Sequence, residues 1–439
     1  MKAINMTAWL TALLLAGCSQ NEVTETNPDA HPAIGFSVYT GVPTRGQDLT
    51  TESLKGDPDD AAVYGGFGIM GYYTGSKTWA IAKGDVAPSF MLNQKVGWNA
   101  TDSKWTYSPV KYWPNNPDDM ISFFAYAPYE PGTSSSAKTG VVTSEITDKS
   151  VPFITFSLKP ADKLDKMVDL VVASALDQKY TSNTTTNGKI NFKFAHTLSR
   201  ISFRAQLGTG DYDSMNGTDN FVYITHMWII GTDHSTPAKN LSLLHPSVTD
   251  NNNAGSKFYT KATWAELHWN YDAGKAEIAA YDFSLNNLLA YDNGITIDTS
   301  TSGSTDPSTG GTVKGVKLYK TAAVNGGLPA NTVSLFKDKE YLYLIPVGDT
   351  TETVPENDAQ GGCADGDIQI GVHYDIVSKS LADPTKYITS HAEAVVKLPA
   401  HHLKRAKSYL YTLKINLHTI DVDAEVTPWT DASQDVTIQ

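Results

Sequence analysis

The sequence predicts an all-β protein built from antiparallel β-sandwiches with long loops. Three observations carry that expectation. Period-two alternation of apolar and polar residues recurs along the 439 residues. The segments between are rich in Gly, Asn, Asp, Ser and Pro, as in Trp113-Pro114-Asn115-Asn116-Pro117-Asp118, and those are turn formers. The chain also has 22 Tyr and 9 Trp with many Thr, a composition that suits pleated surfaces better than helices.

At the N-terminus, Lys2 precedes an apolar run from Met6 to Ala16, too short to span a bilayer but right for a signal-peptide core. The run ends in Leu15-Ala16-Gly17-Cys18, which resembles the bacterial lipobox. That resemblance implies a signal peptide over 1–17, removal before Cys18 and lipid on the Cys18 thiol. Ser19 to Glu22 then forms a polar tether with nothing to bury. Ala33 to Val42 alternates, with Ile34, Phe36, Val38 and Val42 on one face, and reads as a half-buried strand. It runs directly into the turn-forming segment Gly41-Val42-Pro43-Thr44-Arg45-Gly46.

Further strands are expected at Ile121/Phe123/Ala125, Ile154/Phe156/Leu158 and Val168/Leu170/Val172. Tyr180 to Gly188 has no apolar anchor, and a domain boundary is placed there. The expected organisation is a tether and first strand over 18–45, an N-terminal unit over 46–182 and a C-terminal unit over 183–439. In the second half the alternation returns at Ile190/Phe192/Phe194, Val222/Ile224, Tyr409/Tyr411/Leu413/Ile415/Leu417 and Ile420/Val422/Ala424/Val426. Asp298 to Thr312 reads as a mobile loop insertion, and Lys261 to His268 as one short helix.

Charge and cysteine content bound the function. The net charge of −13 argues against nucleic acid as a partner and against an electrostatic hold on anionic lipid. Of 2 Cys, one is Cys18, so Cys363 stands alone and disulfides do not hold the fold. Stability must come from burial, which a chain that is 41% hydrophobic can supply.

Catalytic signatures are missing from the sequence. It holds no nucleophile elbow, phosphate loop, metalloprotease helix or dinucleotide fingerprint. No enzyme, cofactor or metal is expected. His401-His402 is an adjacent pair whose members face opposite sides of a strand. His196 reads as a hydrogen-bonded structural residue. Asp57/Asp59/Asp60 and Asp118/Asp119 lack calcium-loop spacing and read as solvated turns. Cys363 has no nearby basic partner to activate it. Trp79, Trp98, Trp105 and Trp113 suit core or strand-edge packing, with sugar stacking as the alternative. Asp213-Ser214-Met215 and Asp349-Thr350-Thr351 look like a short bacterial O-glycosylation motif.

Five stretches together resemble the fimbrillin family of Bacteroides-type bacteria, the type V pilins. They are the lipobox with the strand and Thr44-Arg45-Gly46 behind it; Met120 to Tyr129 (MISFFAYAPY); Val168 to Ala173 (VDLVVA); Ile190 to Phe203 (INFKFAHTLSRISF); and Tyr409 to Leu413 running on to Val426-Thr427-Pro428-Trp429. Their order and spacing cover nearly the whole chain. The resemblance implies two tandem transthyretin-like β-sandwiches and export to the outer membrane as a lipoprotein precursor. It implies cleavage between Arg45 and Gly46 by an Arg-specific protease. The groove left by the first strand would then be filled by the C-terminal strand of a neighbouring fimbrial subunit, carried here by Ile420, Val422, Ala424 and Val426. The alternative expectation is a non-polymerising surface lipoprotein or tip adhesin that binds glycan or a host ligand.

Overall fold

The computed structural model describes residues 32–40, 50–56, 65–131, 141–143, 149, 151–157, 168–208, 215, 218–231, 259–265, 272–278, 282–284, 295–297, 311–313, 315–319, 332–336, 341–345, 368–399, 402–404, 406–416 and 420–428. The described chain is built mostly of strands. In the first half they are β1 (Gly35–Tyr39), β2 (Phe67–Gly75), β3 (Met91–Asn99), β4 (Lys104–Thr106), β5 (Met120–Ala127), β6 (Val141–Thr143), β7 (Phe153–Ser157), β8 (Val171–Gln178), β9 (Lys189–Lys193) and β10 (Ala195–His196). The second half begins with β11 (Ser199–Leu207), β12 (Asn220–Gly231), β13 (Tyr259–Ala265), β14 (Asp272–Ile278), β15 (Asp282–Ser284), β16 (Ile295–Ile297), β17 (Gly311–Val313) and β18 (Val316–Leu318). It ends with β19 (Val333–Ser334), β20 (Leu342–Leu344), β21 (Ile368–Lys379), β22 (Tyr387–Lys397), β23 (Lys407–Ile415) and β24 (Ile420–Pro428). Two single-turn helices, α1 (Thr51–Leu54) and α2 (Trp79–Ala82), interrupt the first half.

A six-stranded sheet of order β10-β8-β5-β2-β3-β4 forms the centre of the first half. All eight residues of β5 are buried because the sheet is covered on both faces. On one face Phe67, Ile69, Ile121, Phe123, Ala125, Val171 and Ala173 meet Phe36, Ile190 and Phe192 of the two-stranded β1-β9 sheet, with Phe194 just beyond it. On the other face Met70, Tyr72, Phe124, Tyr126 and Val172 join a larger core that runs on through β11, β12, β21 and β23. There the sheets β19-β11-β23-β24 and β15-β12-β21-β22 carry the apolar side chains. Most ladders are antiparallel, as expected. Two pairs, β1 with β9 and β11 with β23, are parallel, and each joins strands distant in sequence, as a parallel pair requires.

The expected boundary between 182 and 183 falls inside the first layer. The strands that follow it return to that layer, β9 pairing with β1 and β10 with β8. The polar run Tyr180 to Gly188 is not an unanchored linker: it folds as two 3₁₀ turns around buried Asn183. The Asn183 side-chain amide donates to the Gln178 side chain and the Lys179 carbonyl, while the Asn183 backbone carbonyl accepts from Gly188 N–H at 2.8 Å. Side-chain to backbone bonding supplies the anchor that apolar residues would otherwise supply. Gly188 itself is needed, because at φ +76° a Cβ would lie 2.9 Å from Nε1 of Trp113.

A second correction concerns the helix expected from Lys261 to His268. Residues 261–265 are strand β13, paired antiparallel with β7 from Lys261↔Ser157 to Ala265↔Phe153. Thr263 and Trp264 have strand preference, and a neighbouring edge to pair with overrides a weak helical period. Residues 266–268 lie outside the described residues. Of the expected loop Asp298 to Thr312, Gly311 and Thr312 pair in β17 with β16, and the rest lies outside the described residues.

Candidate functional site

The feature that stands out is the seat of β1. Its alternation is realised as read: Ile34 and Phe36 are buried and Val38 packs beside them, while Ala33 and Tyr39 are exposed. Phe36 is only 4% exposed and lies in a cage of rings, with Tyr107 at 5.3 Å and Phe123 and Phe192 each at 5.8 Å between centroids. Such aromatic contacts add to the burial itself. The backbone is held on both sides. Along one edge β1 runs parallel to β9, and Phe194 N–H donates to the Tyr39 carbonyl at 2.8 Å. On the other side Ile34 N–H donates to the Lys111 carbonyl at 2.8 Å, and Ala33 bridges Tyr112.

Two polar contacts in this seat are not visible in the alternation. The Tyr107 hydroxyl donates to the Ile34 carbonyl at 2.7 Å, and Lys111 N–H donates to the same hydroxyl at 3.2 Å. Burial pushes the Tyr107 phenol up to about 12, although the Lys111 backbone contact pulls the other way. Thr40 is buried, its N–H donates to the Thr51 hydroxyl at 3.3 Å and the two hydroxyls are also 3.3 Å apart. Thr51 opens α1, whose cap Thr50 and Ser53 form a reciprocal capping box. The inward positions of β1 are therefore aliphatic, aromatic, aliphatic and threonine. Val42, the fourth expected inward residue, lies outside the described residues, as do Cys18, Arg45 and Gly46.

β24 lies at the far edge of the sheet β19-β11-β23-β24 and, among the described residues, pairs on one side only, antiparallel to β23. The register sets Ile420, Val422, Ala424 and Val426 opposite Ile415, Leu413, Tyr411 and Tyr409. Ala424, Glu425 and Val426 are exposed, Val426 to 46%. Glu425 lies 3.9 Å from the Arg204 guanidinium, a solvent-facing pair worth little. Thus β24 lies against a sheet edge, whereas β1 is plugged into a core. The fold does not bring the two strands together; β1 pairs with β9 and β24 with β23.

The other candidates resolve into packing. His196 is buried, with Nδ1 2.8 Å from Oδ2 of buried Asp169. His402 pairs through Nδ1 with the Tyr411 hydroxyl at 2.8 Å and stacks on Tyr409. His401, Asp57, Asp59, Asp60 and Cys363 lie outside the described residues. Asp118 and Asp119 sit in a turn where Asn116 donates to Asp119 at 2.9 Å and the Tyr73 hydroxyl contacts Asp119. Trp79 and Trp113 are buried. Trp98 and Trp105 pair across the β3–β4 hairpin at 5.4 Å, and Lys55 covers Trp98 at 4.6 Å. Sequence reasoning passed over a row across three strands: His226 registers with His373 and His373 with Glu393. Burial lowers the His373 pKa and raises that of Glu393, driving both toward their neutral forms. Among the described residues no group of three or more His, Cys, Asp or Glu is placed to hold a metal ion.

Comparison with known proteins agrees with this architecture. Residues 66–236 match the model of a family described as fimbrillin-like. The chain is 31% identical over 426 residues to the fimbrium subunit Fim1C of Phocaeicola vulgatus, covering 97% of this chain and 96% of that one. The crystal structure of a fimbrial protein from Bacteroides vulgatus superposes with a TM-score of 0.67 at 26% identity, covering 91% of this chain and 99% of that one.

Proposed function

The chain belongs to the fimbrillin-like family, and from that premise we propose that it is a structural subunit of a cell-surface fimbrium which polymerises by exchanging β1 for a strand of a neighbouring subunit. In this reading the protein is two tandem sandwiches, exported to the outer membrane as a lipoprotein through Cys18. An Arg-specific protease cuts between Arg45 and Gly46, and the subunit then joins other fimbrial subunits through the β24 segment from Ile420 to Val426. Its work is structural and adhesive, with no chemical step.

The observation that carries the reading is the seat of β1. The five-residue strand Gly35–Tyr39 and the Ile34 just before it bury Ile34 and Phe36 in the first core, and Arg45 follows five residues after Thr40. A cut there leaves the strand held by non-covalent contacts alone. Burying one Ile and one Phe contributes about 1.5–3 kcal/mol each, a large part of the ~5–15 kcal/mol that stabilises a domain. A subunit stripped of β1 is driven to refill the groove, which is the physics of strand complementation. Before the cut the groove is full and the subunit is inert.

The test is Arg45→Ala expressed in a strain lacking the wild-type gene. The expected result is folded, lipidated monomers and no fibres by electron microscopy of the cell surface. Fibres of normal length built from the uncleaved variant would overturn the mechanism. A Cys18→Ala precursor is expected to lose its membrane association in the same strain.

A further inference from the structure

The seat of β1 has a shape, and the strand this chain offers does not match it. Inward, β1 and the residues flanking it present Ile34, Phe36, Val38 and Thr40. The second position is an aromatic cage formed by Tyr107, Phe123 and Phe192, and the fourth ends on the Thr51 hydroxyl. The apolar series of β24 is Ile420, Val422, Ala424 and Val426. It holds no aromatic residue, so no sliding of that series by two residues brings a ring into the cage. It also holds no hydroxyl for Thr51.

Outward the match reverses. Gly35, Ser37 and Tyr39 of β1 register beside Lys189, Asn191 and Lys193 of β9, all three exposed. β1 brings no charge to those two lysines. A β24 segment seated parallel to β9 with Ile420 in the place of Ile34 sets Asp421 beside Lys189 and Glu425 beside Lys193. Moving it by two residues in either direction leaves one such pair. Charge therefore favours one register, while the cage disfavours the residue that this register puts into it.

Resting on the strand-exchange reading above, we propose that the acceptor groove of this subunit selects a donor strand with an aromatic residue at its second inward position and acidic residues on its outward face. Its preferred occupant is the C-terminal strand of a different fimbrial subunit, not the β24 of a second copy. The Phe36 cage discriminates by volume: a valine there leaves most of the ring space empty, and a void in a packed core has a cost. The two β9 lysines set orientation and register, since charges across an exposed edge add little affinity and much specificity.

The experiment uses the full chain after limited cleavage at Arg45, with β1 exchanged for a fluorescent peptide of residues 31–45. Unlabelled peptides then compete for the groove: residues 418–430, the same peptide carrying V422F, and the V422F peptide also carrying D421N and E425Q. V422F is expected to displace the probe at a roughly ten- to hundredfold lower concentration than the unmodified peptide, the range a filled aromatic cavity implies. Neutralising Asp421 and Glu425 is expected to undo part of that gain at low salt and little of it at high salt. If V422F competes no better than the unmodified peptide while both displace the probe, selection by the cage is wrong and strand exchange stands. If the 31–45 peptide itself neither enters nor leaves the groove, strand exchange fails and the selection falls with it.

Discussion

β1 and β24 carry the same alternating pattern, both lie near a chain end, and the fold uses them differently. β1 is clasped between β9 and the segment around Lys111, with Phe36 ringed by aromatics. β24 touches a sheet along one edge, and its last apolar residue, Val426, is half in solvent. Alternation alone therefore does not measure what a strand contributes. The contribution comes from what stands opposite. A strand that fills a core leaves a void when it goes; one laid on an edge leaves a surface. Under the strand-exchange reading proposed above, the asymmetry suits a subunit that gives up one strand and offers another.

The largest expected effect tests that contrast directly. Phe36→Ala should lower the stability of the uncut chain by about 3–5 kcal/mol, read as a fall in the urea midpoint. A change under about 1 kcal/mol would mean that β1 is not integral to the first core.

A smaller effect is expected from the polar clasp. Tyr107→Phe removes the donor to the Ile34 carbonyl and should cost about 1 kcal/mol. The same phenol makes β1 sensitive to alkali. Its folded pKa, pushed up to about 12, lies above the ordinary value near 10. The neutral form is thus the one the fold favours. Its stabilisation is complete below about pH 10 and is lost as the pH climbs through 12. Cleaved wild-type chain should accordingly release the 31–45 fragment more readily at pH 11 than at pH 8. Cleaved Tyr107→Phe should show a weaker pH dependence, measured by size exclusion. Equal dependence in both would remove Tyr107 from the account.

The smallest effect belongs to β24. Val426→Ala should change the stability of the monomer by less than about 0.5 kcal/mol, since the side chain is already about half in water. Hydrogen exchange should sharpen the comparison: β1 amides between Gly35 and Tyr39 are expected to be slower than those of β24 from Ala424 to Val426. The reverse order would show that the edge strand is the better held of the two.

Much of this is legible in the sequence. The inward face of β1 follows from Ile34, Phe36 and Val38 recurring every second residue, and the burial agrees. His196 as a structural hydrogen-bonded residue also follows, because it sits among apolar neighbours in Phe194 to Leu198 with nothing catalytic near it in sequence. Thr40 was missed. A threonine reads as polar, and its burial rests on the Thr51 hydroxyl eleven residues away. The sequence places β9 in the second half, although its own alternation is plain. Nothing local in Ile190, Phe192 and Phe194 says that they face Phe36, more than 150 residues earlier in the chain.

The sequence by itself determined the local choices: strands over helices, which residues of a strand share a face, where turns interrupt them, and the acidity of the C-terminal segment. Those follow from side-chain volume, branching and charge taken residue by residue. Only the tertiary structure decided partners. The parallel pairing of β1 with β9, the aromatic cage around Phe36, the lysines beside it, and the use of Asn183 as an anchor inside a polar run all join residues that alternation cannot relate. The physical reason is that a period-two pattern specifies a face and leaves the edge open. Pairing is settled by which long-range contacts bury the most apolar surface while keeping every backbone donor satisfied.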